Sequence, residues 1–442
     1  MERFAVACVH PVAARYRPCL HRSMRTESPM ETRDLVQATL TSERRAATLL
    51  PAGVSRCRTV LMVGPGIEGM GGMASVVMGY IEAGLFDRFR GIYVATHRGG
   101  SFWRKLRAAV VGLSQVVIEL FRLDAPLVHV MVATRASFWR KSLVCLLARL
   151  ARRPFLLHVH GSEFMQFYDK ECSAAAKWII GRIFSWAALV VALSEEWRTN
   201  LLKICPSMKI EVLPNGVALP EIGHSPAQPG GRHPVAGARH SPSPHEHPPA
   251  KPVAPRTVLT LGRLGQRKGT YDLVRAFALI APRLPDAQLV CGGDGDIEQV
   301  RALAQELGVG DRVICPGWLG AEGKRAHLAE AAVFILPSTA EGMPMAVLEA
   351  MSWKLAVIAT PVGGVPQVIQ HDRNGILVQP GDIEAIAAAL LRLLEDAALR
   401  ERLGSAARAT IETRFSIAIT VERLSAIYGR FGIAPRAAGE RS

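Results

Sequence analysis

At 442 residues, 49% apolar and 21% charged, the chain is long enough for two α/β domains with separate cores and is globular over most of its length. No apolar stretch could span a bilayer, because the best one, Ala108 to Phe121, is too short, carries Glu119 and is flanked by Arg107 and Arg122. Eight scattered cysteines without a C-x-x-C pairing exclude a disulfide scaffold and a structural zinc, and fit a reducing, cytoplasmic setting; the net charge of +15 is spread unevenly.

Residues 1–57 are arginine-rich, aperiodic and broken by Ser, Thr and Pro, so they read as a disordered basic extension, possible product of an upstream translation start. Their apolar patch, Phe4 to Val9, is too brief for a signal peptide. The globular part opens on Thr59–Gly64, a buried strand ending in a glycine turn. Gly64, Gly66, Gly69, Gly71 and Gly72 follow. Their spacing is wrong for a G-x-G-x-x-G dinucleotide fingerprint, and no acid ends a second strand. A loop around Gly71 and Gly72 that lets backbone approach phosphates is the better reading.

Strands at Leu127–Val132, Phe155–Val159, Leu189–Ala192 and Ile210–Leu213 then alternate with helical or loop segments, the doubly wound pattern. His160 ends the second of these beside Gly161, which puts an imidazole over the carboxyl edge of a sheet. A hydrogen-bonded structural histidine is the other reading. Between Arg98 and Arg153 there are eleven Lys and Arg against two acids, and Ser-Phe-Trp-Arg-Lys occurs twice, at 101–105 and 137–141. Aromatic and basic residues leading into apolar helices suit an anionic membrane surface. Nucleic acid would also attract such charge, but no recognised module accompanies it, and a solvated helix face with a chance repeat is the plain alternative.

After Asn215-Gly216-Val217 the composition changes. Residues 218–256 are rich in Pro, His, Gly and Ser, cannot bury a core and read as a flexible inter-domain insert. A second wound domain starts near Thr257. Its first strand, Val258–Leu261, is followed by Gly262, Arg263, Lys268 and Gly269, which set two cations at the carboxyl end of a strand, where open α/β sheets bind ligands. Asp294-Gly295-Asp296 looks like a metal-binding D-x-D, but it follows strand Gln288–Cys291 and opens helix Ile297–Leu307. Asp296 with Gln299 is therefore expected to form a capping box, and no metal is expected. The turn at Gly292-Gly293 would line a ligand pocket, as would Gly317 and Trp318.

The most informative segment follows strand Ala332–Leu336. Pro337-Ser338-Thr339 breaks the strand, Glu341 falls in the loop, and Pro344 suits the first position of a helix. The N–H groups of Met345 and Ala346 would then point at an anion, with Glu349 a turn further in. A carboxylate, a phosphate-sized set of donors and a second carboxylate together suit a sugar nucleotide.

These residues resemble the retaining glycosyltransferases of family 4, which have the GT-B fold. The E-x7-E signature reads Glu341 to Glu349, and the G-R-L…K-G segment reads Gly262, Arg263, Lys268 and Gly269. Weaker matches are Gly71-Gly72-Met73, His160-Gly161, Asn215-Gly216-Val217 and the run Pro361 to Pro366. Gln367 departs from the family's usual Glu. The resemblance implies two Rossmann-like α/β domains facing across a cleft: an acceptor-side domain at 58–217, a nucleotide-sugar domain at 257–415, and a C-terminal helix and tail at 416–442. It implies hexose transfer from a UDP- or GDP-sugar, without cofactor or metal, to a polysaccharide acceptor that is expected to be lipid-linked, by an enzyme peripheral on the inner face of the plasma membrane. His160 and Glu341 would meet the transferred sugar. Arg263, Lys268 and the Met345 and Ala346 amides would serve the diphosphate, Glu349 the ribose, and Gly71, Gly72, Gly262 and Gly293 would line the pocket. A sugar-nucleotide epimerase of the same architecture, or a non-catalytic membrane-bound assembly partner, are the alternatives.

Overall fold

A computed structural model describes residues 57–68, 71–221 and 256–436. The expected extension at 1–57, apart from Cys57, and most of the insert at 218–256 lie outside the described residues. Cys57 itself is buried, and its N–H donates to the Phe431 carbonyl.

Two six-stranded sheets, each wholly parallel, carry the chain. The first runs β1 (Thr59–Gly64), α1 (Gly72–Glu82), β2 (Gly91–Ala95), α2 (Phe102–Arg122), β3 (Pro126–Val132), α3 (Arg135–Leu150) and β4 (Phe155–Val159). It continues through α4 (Ala174–Trp186), β5 (Leu189–Ala192), α5 (Glu195–Leu202) and β6 (Ile210–Val212), in the strand order β2-β1-β3-β4-β5-β6. The second runs β7 (Arg256–Leu261), α6 (Thr270–Ile280), β8 (Ala287–Gly292), α7 (Ile297–Glu306), β9 (Val313–Gly317), α8 (Ala321–Glu330) and β10 (Val333–Leu336). Then come α9 (Met345–Ser352), β11 (Ala356–Ala359), β12 (Ile376–Leu377), α10 (Ile383–Glu395) and α11 (Ala397–Thr410), giving the order β12-β11-β10-β7-β8-β9.

Helices cover both faces of each sheet, so the central strands are largely apolar on both faces rather than alternating, with His129 and His158 as buried exceptions. Every residue of β3, β4 and β10 is buried. Strand order reverses between β1 and β3 in the first sheet and between β7 and β10 in the second. The loops after those strands diverge there and leave a crevice at the carboxyl ends.

The last helix, α12 (Ile417–Arg430), returns to the first sheet, where Val421, Leu424, Ile427 and Tyr428 pack with Val60, Met62, Met131 and Leu156. The crossing is tight: the Val217 N–H donates to the Phe415 carbonyl, and the Ile417 N–H to the Val217 carbonyl. A Cβ on Gly216 would lie 2.4 Å from the Thr420 hydroxyl and 2.8 Å from the Ile417 Cα, so only glycine fits.

The two copies of Ser-Phe-Trp-Arg-Lys differ. In the first, at the start of α2, Phe102 and Trp103 are 69% and 74% exposed, and Arg104 and Lys105 also face solvent. In the second, inside α3, Phe138 and Lys141 are each 1% exposed. Helix α3 lies between α2 and α4 and turns these two side chains inward, while Trp139 stays 37% exposed. The expectation that Lys141 faces a membrane is therefore corrected. Its ammonium donates to the Ser137 hydroxyl at 3.2 Å, and burial pushes its pKa down to about 7.

Candidate functional site

The second sheet's crevice brings two loops together. The Lys268 ammonium, after β7, lies 2.6 Å from Oε1 of Glu341, after β10, with both side chains largely buried. The Ser338 hydroxyl donates to the same Oε1 at 2.7 Å. The loops are stitched again beside this pair: the Thr339 N–H donates to the Arg267 carbonyl at 2.8 Å, and the Arg267 guanidinium to the Ala340 carbonyl at 3.2 Å. The expected carboxylate and cation thus form one buried ion pair and hold each other's geometry.

The backbone near the pair is packed against itself. Gly363, at φ 57°, sits where a Cβ would come within 1.9 Å of the Glu341 carbonyl oxygen. The Gly364 N–H donates to the Gly342 carbonyl at 2.6 Å. On the other flank Gly293, at φ 150°, would place a Cβ 1.7 Å from the Gly262 carbonyl oxygen. Left-handed and closely approached positions of this kind admit only glycine. Gly262 and Gly293 are thus needed for backbone approach on the pocket flank, and a Cβ on Gly262 would lie 3.2 Å from Lys268 Cε.

Pro344 caps α9 instead of opening it, and Met345 is the first helical residue. The Val347 and Leu348 N–H groups return to the Pro344 carbonyl at 3.2 and 3.3 Å. The Met345 and Ala346 N–H groups remain as the open donors at the positive end of the helix dipole. Gly72, at the start of α1, lies 3.9 Å from the Met345 side chain when given a Cβ, so the first sheet's glycine loop borders this end of α9. Gly342 is similarly near the His160 carbonyl and the Leu193 side chain. Between the sheets the buried Asn215 amide donates to the Met343 carbonyl at 3.1 Å. Gly71, Gly72, His160, Gly342 and Met345 therefore form one rim.

His160 is held by its N–H to the Val132 carbonyl at 2.8 Å. Burial, with His129 and Lys141 nearby, pushes its pKa down to about 3, so the ring is neutral at physiological pH. A neutral imidazole presents one donor and one acceptor and suits a hydroxyl group better than an anion.

Four further placements differ from expectation or extend it. Arg263 is exposed and turns toward Asp294 at 3.5 Å, not toward Glu341. The Asp296 carboxylate accepts from the Tyr271 hydroxyl at 2.9 Å, and no side-chain cap bond reaches α7, so the capping box with Gln299 does not form. Glu349 is fixed by the Lys324 ammonium at 2.6 Å, a partner on α8 that no sequence motif marked. Gln367 lies apart from the pair, along an open groove with Glu195, Pro214, Arg414 and Arg423.

With this geometry in place, the comparisons with known proteins assign a family model to each lobe. Residues 80–220 match the model for Glycosyltransferase Family 4 and residues 255–396 that for Glycosyl transferases group 1. The chain thus carries a Glycosyltransferase Family 4 domain followed by a Glycosyl transferases group 1 domain. It is 28% identical over 257 residues to the amylovoran biosynthesis glycosyltransferase AmsK of Erwinia amylovora, 56% of this chain and 58% of that one. It is 36% identical over 160 residues to the GDP-mannose-dependent alpha-(1-6)-phosphatidylinositol monomannoside mannosyltransferase of Mycobacterium tuberculosis, 34% of this chain and 42% of that one. The chain spans about half the length of the curated relatives it matches. Among solved structures it is similar to Anabaena HepE in complex with UDP-glucose, with a TM-score of 0.64 at 18% identity, covering 84% of this chain and 99% of that one. For sucrose-phosphate synthase of Thermosynechococcus elongatus the TM-score is 0.66 at 19% identity, covering 85% and 99%. The fold is thus GT-B, two Rossmann-like lobes.

The Lys268–Glu341 pair gives a direct test of the site's construction. Lys268→Met should cost about 2–4 kcal/mol of unfolding free energy, because it strands a buried carboxylate. The double variant Lys268→Met/Glu341→Gln should recover a good part of that loss. Denaturant titrations of the single and double variants measure the coupling, and strictly additive losses would mean the pair does not hold the loops.

Proposed function

We propose that the chain is a retaining glycosyltransferase that moves a hexose from a UDP- or GDP-sugar to a lipid-linked polysaccharide acceptor, working at the inner face of the plasma membrane. The observation that carries this is the arrangement at the second sheet's switch point: an ion-paired carboxylate, open helix-end donors and a second carboxylate one turn on, E-x7-E in sequence. The departing diphosphate would take its charge compensation from the Met345 and Ala346 amides, Lys268 and Arg263. Arriving phosphate oxygens would compete with Glu341 for the Lys268 ammonium, leaving the carboxylate to the transferred sugar. Glu349, steadied by Lys324, would take the ribose hydroxyls, and the neutral His160 ring a sugar hydroxyl. Attack from the same face as the leaving group needs no separate enzymic base.

The substitutions separate these roles. Glu341→Gln should lower kcat roughly a hundredfold, about 2.7 kcal/mol of barrier, while nucleoside diphosphate binds as tightly as before or tighter, since Lys268 is no longer held by a carboxylate. Glu349→Ala should instead weaken the nucleotide by about 1–3 kcal/mol, the loss of a charged hydrogen bond. Turnover assays with a panel of sugar nucleotides and calorimetry of the diphosphates check both. Wild-type turnover in both variants would overturn the assignment, and donor conversion without acceptor would indicate an epimerase instead.

No metal enters this scheme, because the charge on the diphosphate is met by side chains and a helix end. The two acids of the D-x-D run are already engaged, Asp294 with Arg263 and Asp296 with Tyr271. Transfer is expected to survive EDTA; abolition by EDTA with rescue by Mn²⁺ would turn Asp294 and Asp296 into ligands.

Membrane attachment is supported by the surface of the first lobe. No helix among the described residues is long and apolar enough to cross a membrane. Yet the adjoining helices α2, α3 and α4 expose Phe102, Trp103, Ile118, Phe121, Leu150 and Trp178, with Arg104, Lys105 and Arg107 at the amino end of α2. Such a face fits the headgroup level of an anionic bilayer. Each basic residue would add on the order of 1 kcal/mol, screened by salt. Binding to anionic vesicles should weaken with added salt and again when Arg104, Lys105 and Arg107 become Ser, while Trp103→Ala should cost most of what persists at high salt. Equal binding to neutral and anionic vesicles would remove the electrostatic part of this reading.

A further inference from the structure

Strand β3 alternates across the first sheet. Val128, Val130 and Val132 face α2 and α3, while Leu127, His129 and Met131 face the side covered by α1 and α12. His158 on β4 is placed alike, since Leu157 and Val159 belong to the first face and Leu156 to the second. Two histidines are thus fully buried in an apolar layer, where an unsatisfied polar group is costly. They are met by Tyr428, which α12 brings from 299 residues away: its hydroxyl lies 2.7 Å from Nδ1 of His129. Nε2 of His129 lies 3.2 Å from Nδ1 of His158. The His158 ring in turn packs on the His160 ring, with centroids 4.1 Å apart.

The chain has a direction. Burial holds His129 down to about 3 and His158 well below its ordinary pKa, and raises Tyr428, so all three are neutral. The Tyr428 hydroxyl has His129 as its partner. If His129 carried its proton on Nδ1, the tyrosine hydrogen would have no acceptor and Nε2 of His158 no donor. With the proton on Nε2, Tyr428 donates to His129 and His129 donates to His158. Only the Nε2–H of His158 is then unmatched, and that atom is indeed buried without a partner, as is Nε2 of His160 beside it.

We infer that Tyr428, His129 and His158 are positioning residues for His160, a hydrogen-bonded relay through which the C-terminal helix sets the tilt of the ring that meets the donor sugar. This rests on the reading of His160 as a sugar contact. Fixing one tautomer along the relay leaves His158 a single orientation, and the His160 ring packed against it, tilted by 42°, is held with it. A neutral ring must present its donor or acceptor to one hydroxyl within a narrow angle, and small misplacements near reacting atoms cost large factors in rate.

The test uses the full-length chain. Long-range ¹H–¹⁵N spectra of histidine-labelled protein should show His129 and His158 both protonated on Nε2, with no substrate needed. Tyr428→Phe keeps the ring in the core and removes only the donor. It should mix the His158 tautomers and lower kcat roughly tenfold, with nucleoside diphosphate affinity unchanged within about twofold. Combined with His160→Ala, it should add no further loss, because a relay cannot act through a missing ring. A His158 protonated on Nδ1 in the parent protein, or rate losses that multiply in the double variant, would overturn the relay. A parent protein that turns over no sugar nucleotide would overturn the functional reading, while the tautomers still decide the relay's wiring.

Discussion

One ion pair organises the second lobe's crevice. Lys268 and Glu341 are 73 residues apart in sequence and come from loops on either side of the strand reversal, yet meet at 2.6 Å. Neither charge could be buried alone, so each loop is in place only when the other is. The Ser338 hydroxyl and the Arg267–Thr339–Ala340 hydrogen bonds make the same join through shorter side chains and backbone. Gly363 then lets the Pro361–Pro366 turn lie directly on the Glu341 carbonyl, which seats the open end of α9 behind the carboxylate.

The first lobe contributes a different kind of surface. Its glycine loop borders the open end of α9, the His160 carbonyl borders Gly342 and the neutral His160 ring packs on His158, whereas the charges of the buried pair, Lys268 and Glu341, come from the second lobe. Such a division suits a substrate with a highly charged half and a hydroxyl-rich half. Of the first lobe's cations, Arg104 and Lys105 are exposed on α2, Arg135 is paired with Glu163 and Glu171, and Lys141 is buried with the Ser137 hydroxyl as its partner.

How much of this could be read from sequence depended on whether a residue's partner was local. The strands of both sheets stood out as apolar runs bounded by glycine or proline, and the E-x7-E spacing placed Glu341 in a loop and Glu349 in a helix. Short strands such as Gly91–Ala95 and Ile376–Leu377 carry too little pattern to announce themselves. Lys324 was invisible because its helix bears no motif and its carboxylate lies 25 residues on. The two identical pentapeptides look alike in sequence, but Phe102 to Lys105 of α2 are all exposed, whereas α3, packed between α2 and α4, turns Phe138 and Lys141 inward and leaves Trp139 exposed. The Asp296 capping box failed for a similar reason: Tyr271, from another helix, claims the carboxylate first.

Helix α12 belongs to the end of the chain and to the core of its beginning. Val421, Leu424, Ile427 and Tyr428 complete the apolar layer over β1, β3 and β4, and the Phe431 carbonyl receives the N–H of Cys57. During synthesis, therefore, the first sheet emerges long before the element that seals one of its faces. That face stays open while the whole second lobe is made, and it closes only when the last turns of α12 leave the ribosome. The two lobes are consequently not independent products of one chain: the earlier reaches its final packing only after the later is complete.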